Sequence, residues 1–190
     1  MPVLDAGERT GLLAIGRAAL VAAVRERPYL PPPCAGRLAA PGASFVTLRG
    51  GDGALRGCIG SLEPCRPLAE DVAANTRAAA RDDLRFDPVG VDELAQLTFE
   101  ISLLSALSPL AVASRRELVA ALRPGVDGLL LDDGDRRATF LPGVWEQLPE
   151  PELFVAQLER KAGLPPGGFP RTLRVWRYAV VSLPPVMAAG

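Results

Sequence analysis

The sequence predicts an α+β fold, mostly antiparallel sheet with packed helices, on three observations. Hairpin signals alternate with helical stretches, and no strand–helix–strand unit repeats. The turns Gly50-Gly51-Asp52-Gly53 and Asp133-Gly134 each separate two short runs of β-forming residues. A length of 190 residues, 48% hydrophobic, suits one domain or two small subdomains, with enough apolar surface to bury a core.

Taken in order, about Glu8 to Arg25 reads as a helix, because Leu12, Ile15, Ala19 and Ala23 recur at helical spacing. Pro28 ends it, and Pro31-Pro32-Pro33 opens an extended loop running to about Gly42. Ser44–Arg49 alternates as a strand and turns back through the glycines into a second strand, Ala54–Ile59. Pro67 suits the first position of a helix that continues to about Ala80. Arg81–Gly90 reads as a charged, solvated loop, with Pro88 barring a helix. Leu97–Leu104 follows as a buried strand, and Ser114 caps a short helix, Arg115–Leu122. Gly128–Leu131 and Arg136–Leu141 form a second hairpin, then a single turn spans Val144–Leu148. A helix from about Pro151 to Ala162 stops at Pro165-Pro166-Gly167-Gly168, and Leu173–Leu183 closes as one strand. The chain is expected to be a single domain over 1–190, ordered over about 8–183, with residues 184–190 a frayed tail.

Composition removes several function classes. The chain has no His, which excludes Ser-His-Asp and Cys-His pairs, HExxH zinc sites and His proton shuttles. Lys161 is the single lysine, read as a solvated charge at a helix C-terminus, so Schiff-base chemistry has one candidate. Lys plus Arg number 21 against 22 Asp plus Glu, a net charge of −1 that gives nucleic acid or anionic lipid no global attraction. Arginine without interleaved aromatics makes a poor RNA surface. Cys34, Cys58 and Cys65 form neither a disulfide framework nor a zinc knuckle, and no metal or other cofactor is called for. An acidic rather than cationic start and the lack of a membrane-length apolar run point to a cytoplasmic, reduced protein with no membrane partner.

The stretch from Leu55 to Pro64, LRGCIGSLEP, is the most unusual. On a strand, residues two apart share a face, so Arg56 and Cys58 are expected side by side. A guanidinium there would stabilise the thiolate and make Cys58 a nucleophile without His. The competing reading is that Cys58 packs as a small hydrophobe. Gly57 and Gly60, followed by Ser61, could offer backbone N–H groups to an anion, or could simply permit a bulge or tight corner. Glu100 alternates with Thr98 and Ser102 on one strand face, where it could act as acid or base or could neutralise Arg56. Asp132-Asp133 and Asp135 surround a hairpin turn and lack calcium-loop spacing.

Together these segments resemble the AMMECR domain family, the A component of the AmmeMemoRadiSam system. The resemblance rests on LRGCIGSLEP, on Arg66–Val72, on Arg81-Asp82-Asp83-Leu84-Arg85-Phe86, on Phe99–Ser105, and on Thr139-Phe140-Leu141-Pro142 with Val144-Trp145. It covers about Leu12 to Tyr178. Asp83-Leu84 stands where the family has a single Pro, adding one residue, and Gly143 stands where it has Gln. The resemblance implies two closely associated subdomains forming a cleft, with the cysteine motif near it. It also implies partnership with a MEMO-like protein and a radical-SAM protein. It fixes no reaction of its own.

Two readings of function follow. In one, the protein is an enzyme or accessory component acting on a small anionic or carbonyl ligand. Cys58, Arg56 and Glu100 would then do the chemistry, and Gly57, Gly60, Ser61, Arg85, Ser102 and Thr139 would hold the ligand. In the other, the protein is a non-catalytic interaction module in which the Cys58 motif is structural.

Overall fold

The first helix begins where Asp5 accepts a hydrogen bond from the Glu8 N–H at 2.8 Å while the Glu8 carboxylate reaches back to the Asp5 N–H at 3.0 Å. This reciprocal cap starts α1, Ala6–Val24, two residues before the point expected from apolar spacing alone. The computed structural model describes residues 4–165 and 169–188. Part of the Pro-Gly stop after the last helix, Pro166 to Gly168, therefore lies outside the described residues, as do Met1 to Val3 and the final two positions.

The elements after α1 are β1, Pro41–Gly42; β2, Ser44–Arg49; β3, Leu55–Gly60; β4, Arg66–Pro67; α2, Leu68–Arg81; and β5, Thr98–Leu104. They are followed by β6, Ser108–Pro109; α3, Arg115–Ala121; β7, Gly128–Asp132; β8, Arg137–Phe140; and α4, Pro151–Lys161. The chain ends with β9, Arg174–Tyr178; β10, Val180–Ser182; and β11, Val186–Met187. The fold is α+β, and every strand pairing whose register is resolved is antiparallel.

The chain divides into two compact units, residues 1–104 with 181–190, and residues 105–180. In the first, strand order is β10-β5-β2-β3, with β11 also on β5. Strand β2 is the template for the others because its side chains alternate strictly: Ser44, Val46 and Leu48 are buried, and Phe45, Thr47 and Arg49 face outward. Helices α1 and α2 cover the buried face, and Leu12, Leu20, Val46, Leu48, Val72, Phe99 and Ile101 are almost wholly removed from water. Each such side chain contributes about 1.5–3 kcal/mol, which makes this core the main support of the motif strand.

The second unit carries a sheet of order β6-β9-β7-β8 and its own core. Trp145 stacks on Phe154 with ring centroids 3.8 Å apart, and its indole N–H donates to the Asp127 carbonyl at 2.7 Å. Ser114 caps α3 as expected, accepting from the Glu117 N–H.

Two expectations need correction. The final strand is not continuous: β9 belongs to the sheet of the second unit and β10 to that of the first, and the break falls at Ala179. There the Ser105 hydroxyl accepts from the Ala179 N–H at 2.9 Å, and the Ser105 N–H donates to the Ala179 carbonyl. The tail is not frayed over Val186–Ala188 either. Val186 pairs with Phe99, Met187 with Thr98, and the Ala188 N–H donates to the Leu97 carbonyl. Unsatisfied groups on the end of β5 supply those bonds, a long-range partner that local composition does not advertise.

Candidate functional site

Among the described residues, the signature strand β3 lies at the edge of the first sheet, paired only with β2. Cys58 stands opposite Thr47, and Gly60 opposite Phe45. The Ser61 N–H bonds to the Ser44 carbonyl, which makes Phe45–Gly60 and Thr47–Cys58 the close, non-hydrogen-bonded pairs of the ladder. Side chains of such pairs approach closely, and the Thr47 Oγ1 and Cys58 Sγ atoms are 3.4 Å apart in a hydrogen bond. Glu100 on β5 pairs with the same Thr47 from the other side. Cys58, Thr47 and Glu100 therefore form one row across the outward sheet face, with about 10 Å between the two end Cα atoms.

Glu100 is half-buried, and its carboxylate has no hydrogen bond or ion pair among the described residues. It lines a cavity of about 220 Å³ with Thr47, Arg49, Thr98, Pro185 and Met187. This is smaller than the pockets that hold drug-sized molecules, so it fits a ligand of few atoms. Arg49 was not among the residues expected at a site. Its alternation with Thr47 on β2 is the signal that could have found it.

The Arg56 guanidinium is spent on groups other than Cys58. The ladder register shifts between Leu48 and Arg49, so that Leu48 faces Gly57, Arg49 faces Leu55, and Arg56 has no partner residue on β2. Period-two alternation fails at such a bulge. The Arg56 guanidinium forks onto Glu93, with Nε to Oε2 at 2.7 Å and Nη2 to Oε1 at 2.9 Å, and also donates to the carbonyls of Asp87 and Pro88. Glu93, not Glu100, neutralises it. This pairing raises the Arg56 pKa and lowers that of Glu93, whose carboxylate also accepts from the Gly90 N–H. Glu93 was missed because its partner is 37 residues away.

The cation near Cys58 is Arg85, close enough for the two groups to interact electrostatically. Its guanidinium holds the Asp83 carboxylate at 2.7 and 2.9 Å and donates to the Cys58 carbonyl at 3.3 Å. Asp83 in turn accepts from the Cys58 N–H at 2.9 Å. The pair occupies the N–H and C=O that β3 would otherwise present at its open edge. Asp83 is buried at 6% exposure, which corrects its reading as a solvated loop charge. The Arg85 guanidinium, with the two backbone N–H groups of Cys58 and Arg85, holds its carboxyl far below the usual carboxylate range.

The remaining expected ligand residues are occupied. A side chain at Gly57 would strike the Ala79 carbonyl of α2, and one at Gly60 would strike the Phe45 ring. Both glycines thus serve close packing in this structure. The Ser61 hydroxyl donates to Asp71, a fully buried carboxylate that also accepts from the Ser44 N–H and hydroxyl, Asn75 and Arg66. Asp71 and Asn75 lie four apart on the apolar face of α2, a spacing that flags a buried polar network in the sequence. Ser102 shares a hydrogen bond with the Ser182 hydroxyl at 2.9 Å. Thr139 belongs to the second unit, where its hydroxyl lies 2.8 Å from the Leu129 carbonyl and 2.6 Å from the Tyr178 hydroxyl. Burial pushes the Tyr178 phenol up to about 12. Lys161 is not simply solvated, since its ammonium donates to the Thr139 carbonyl at 3.1 Å. All three cysteines are free thiols. Among the described residues no group of three or more Cys, Asp or Glu could hold a metal ion, and no helix is long and apolar enough to cross a membrane.

Comparison with known proteins follows the same lines. A protein of Methanothermobacter thermautotrophicus is 41% identical over 137 residues, 70% of each chain. One from Aeropyrum pernix is 36% identical over 166 residues, covering 85% of this chain and 71% of its own. The crystal structure of an uncharacterised Pyrococcus horikoshii protein superposes with a TM-score of 0.81 at 29% identity, over 90% of this chain and 88% of that one. The AMMECR1 family model matches residues 13–183, and the chain belongs to the AMMECR1 family.

Proposed function

We propose that the outward sheet face of the first unit binds a small carbonyl or anionic ligand, with Cys58 as nucleophile and Glu100 as the acid–base group. One observation carries this reading: a half-buried carboxylate without a partner among the described residues stands in the same cross-strand row as the thiol. A carboxylate left unpaired in a cavity is better suited to proton transfer than one locked in an ion pair. With a carbonyl ligand, the Cys58 sulfur adds to the carbonyl carbon, a C–S bond forms and the C=O π bond breaks. The thiol proton passes through Glu100 to the resulting oxygen, so the adduct balances without a further reactant. Arg49 and Arg85 are the cations placed to anchor an anionic group. Arg56 is a positioning residue that fastens β3 to the loop carrying Glu93.

In the cell this site would work with a MEMO-like protein and a radical-SAM protein in the cytoplasm, as the AmmeMemoRadiSam arrangement suggests. The second reading, an interaction module with a structural motif, draws on Arg56, Ser61, Gly57 and Gly60, all of which are committed to internal packing.

The test is iodoacetamide alkylation of Cys58 in a Cys34→Ala, Cys65→Ala background, followed against pH for native protein. The enzyme reading expects native-state reaction whose pH profile moves when Glu100 becomes Gln. A thiol that reacts only on unfolding would overturn it and leave the interaction module.

A further inference from the structure

A second cavity lies on the helical side of the first unit, away from the Cys58 face. It measures about 770 Å³, within the range that holds organic ligands. Its floor is made of alanines, Ala19 and Ala23 from α1 and Ala73 from α2, each at most 7% exposed. Small side chains where two helices meet leave space that leucines would fill.

The wall opposite is fixed by the chain's exit from α1. Glu26 takes a left-handed conformation with φ 54°, the Arg27 N–H returns to the Ala22 carbonyl at 2.8 Å, and the Glu26 N–H to that of Ala23. This turn folds Arg27, Pro28 and Tyr29 back along the helices, and the ion pair from Glu26 to Arg81 at 2.7 Å ties it to the end of α2. Proline at 28 and 31 limits the backbone freedom of the wall, so it is stiff before anything binds.

Three guanidiniums line the opening. Arg66 spends only Nε, on Asp71, and Arg77 only Nη1, on Asp82, while the Arg27 guanidinium has no hydrogen bond or ion pair among the described residues. Each guanidinium carries five N–H donors, so most of them remain unspent. Glu70 is the single carboxylate in the lining. The arrangement offers an excess of charged donors around an apolar floor with an aromatic side wall.

We infer that this cavity is a binding site for a soluble organic anion, an aryl or acyl group bearing a phosphate or carboxylate. The apolar body lies on the alanine floor beside Tyr29, and the anionic group is held by Arg27, Arg66 and Arg77, with forked donors matched to its oxygens. The site uses none of the residues of the Cys58 row and does not depend on the function proposed for them.

Isothermal titration calorimetry of the full chain with naphthyl phosphate tests it, with inorganic phosphate and naphthol as separate arms. Sub-millimolar binding is expected for naphthyl phosphate, at least about tenfold tighter than for either fragment. Arg27→Ala with Arg77→Ala, both on exposed side chains, should weaken it at least about tenfold, and Ala73→Leu should block it by filling the floor. Cys58→Ser should bind like the wild type. Thermal melts confirm that each variant is folded, and Ala74→Leu, at a half-buried lining position, replaces Ala73→Leu if that chain does not fold. Unchanged affinity in the double arginine variant, binding by naphthol alone at equal strength, or no binding below several millimolar would overturn the inference.

Discussion

Asp83 shows how one side chain can decide the behaviour of a strand. It is buried, it accepts from the Cys58 N–H, and it holds the guanidinium that reaches the Cys58 carbonyl. Asp83→Asn keeps the shape but removes the charge from these bonds, at an expected cost of about 1.5–3 kcal/mol. The effect depends on pH with a definite sign. Asp83 is ionised more readily in the folded protein than in the unfolded chain, whose aspartates titrate near ~3.9. Its contribution is complete above that value and is lost as pH falls below it. Urea melts across pH 2 to 6 should therefore show a shallower acid limb for Asp83→Asn than for the wild type, and hydrogen exchange at the Cys58 amide should accelerate in the variant. The Arg81–Phe86 sequence displays charges of both signs but not their burial. Burial of Asp83 depends on a strand edge 25 residues earlier, so only the tertiary structure distinguishes it from its exposed neighbour Asp82.

At the scale of elements, helix and strand positions were largely legible because their faces are chemically distinct. The alternation of β2 and the apolar stripe of α1 each record which side meets the core. The bulge at Arg56 was not legible, since an inserted residue leaves the local pattern of apolar and polar side chains unchanged. The same limit hid the pairing of β11. Gly57 gives the contact between β3 and α2 a direct test. A methyl group there would strike the backbone carbonyl of Ala79, which cannot rotate away as a side chain could. Gly57→Ala should lower stability by about 1–3 kcal/mol in urea melts as α2 is forced off the sheet. A change within a few tenths of a kcal/mol would mean that the helix adjusts freely.

At the scale of the molecule, the second unit is inserted between two neighbouring strands of the first. Leu183 bonds back to Ile101, and Ser182 lies beside Ser102, so the chain leaves from β5 and returns on β10 next to it. Among the described residues, the core of the first unit contains only residues from its own two segments. Replacing residues 105–180 by an Asn-Gly hairpin turn should therefore leave a cooperatively folding protein that retains the Cys58 row. Circular dichroism melts check this, and a sequence that fails to fold would show that the first unit needs its insert. The candidate site was legible in part: Cys58 and Glu100 share a row, but Arg56 does not join them. The partners of these side chains were not legible, because the Arg56–Glu93 and Asp83–Cys58 pairings join distant parts of the chain. The Asp83–Arg85 fork has one further consequence. Extended peptides dock on exposed sheet edges by adding a strand through main-chain hydrogen bonds. At Cys58 both of those bonds are already made, so a polypeptide cannot continue the ladder past the thiol. Whatever reaches Cys58 must come down onto the flat of the sheet, where side chains rather than backbone select it.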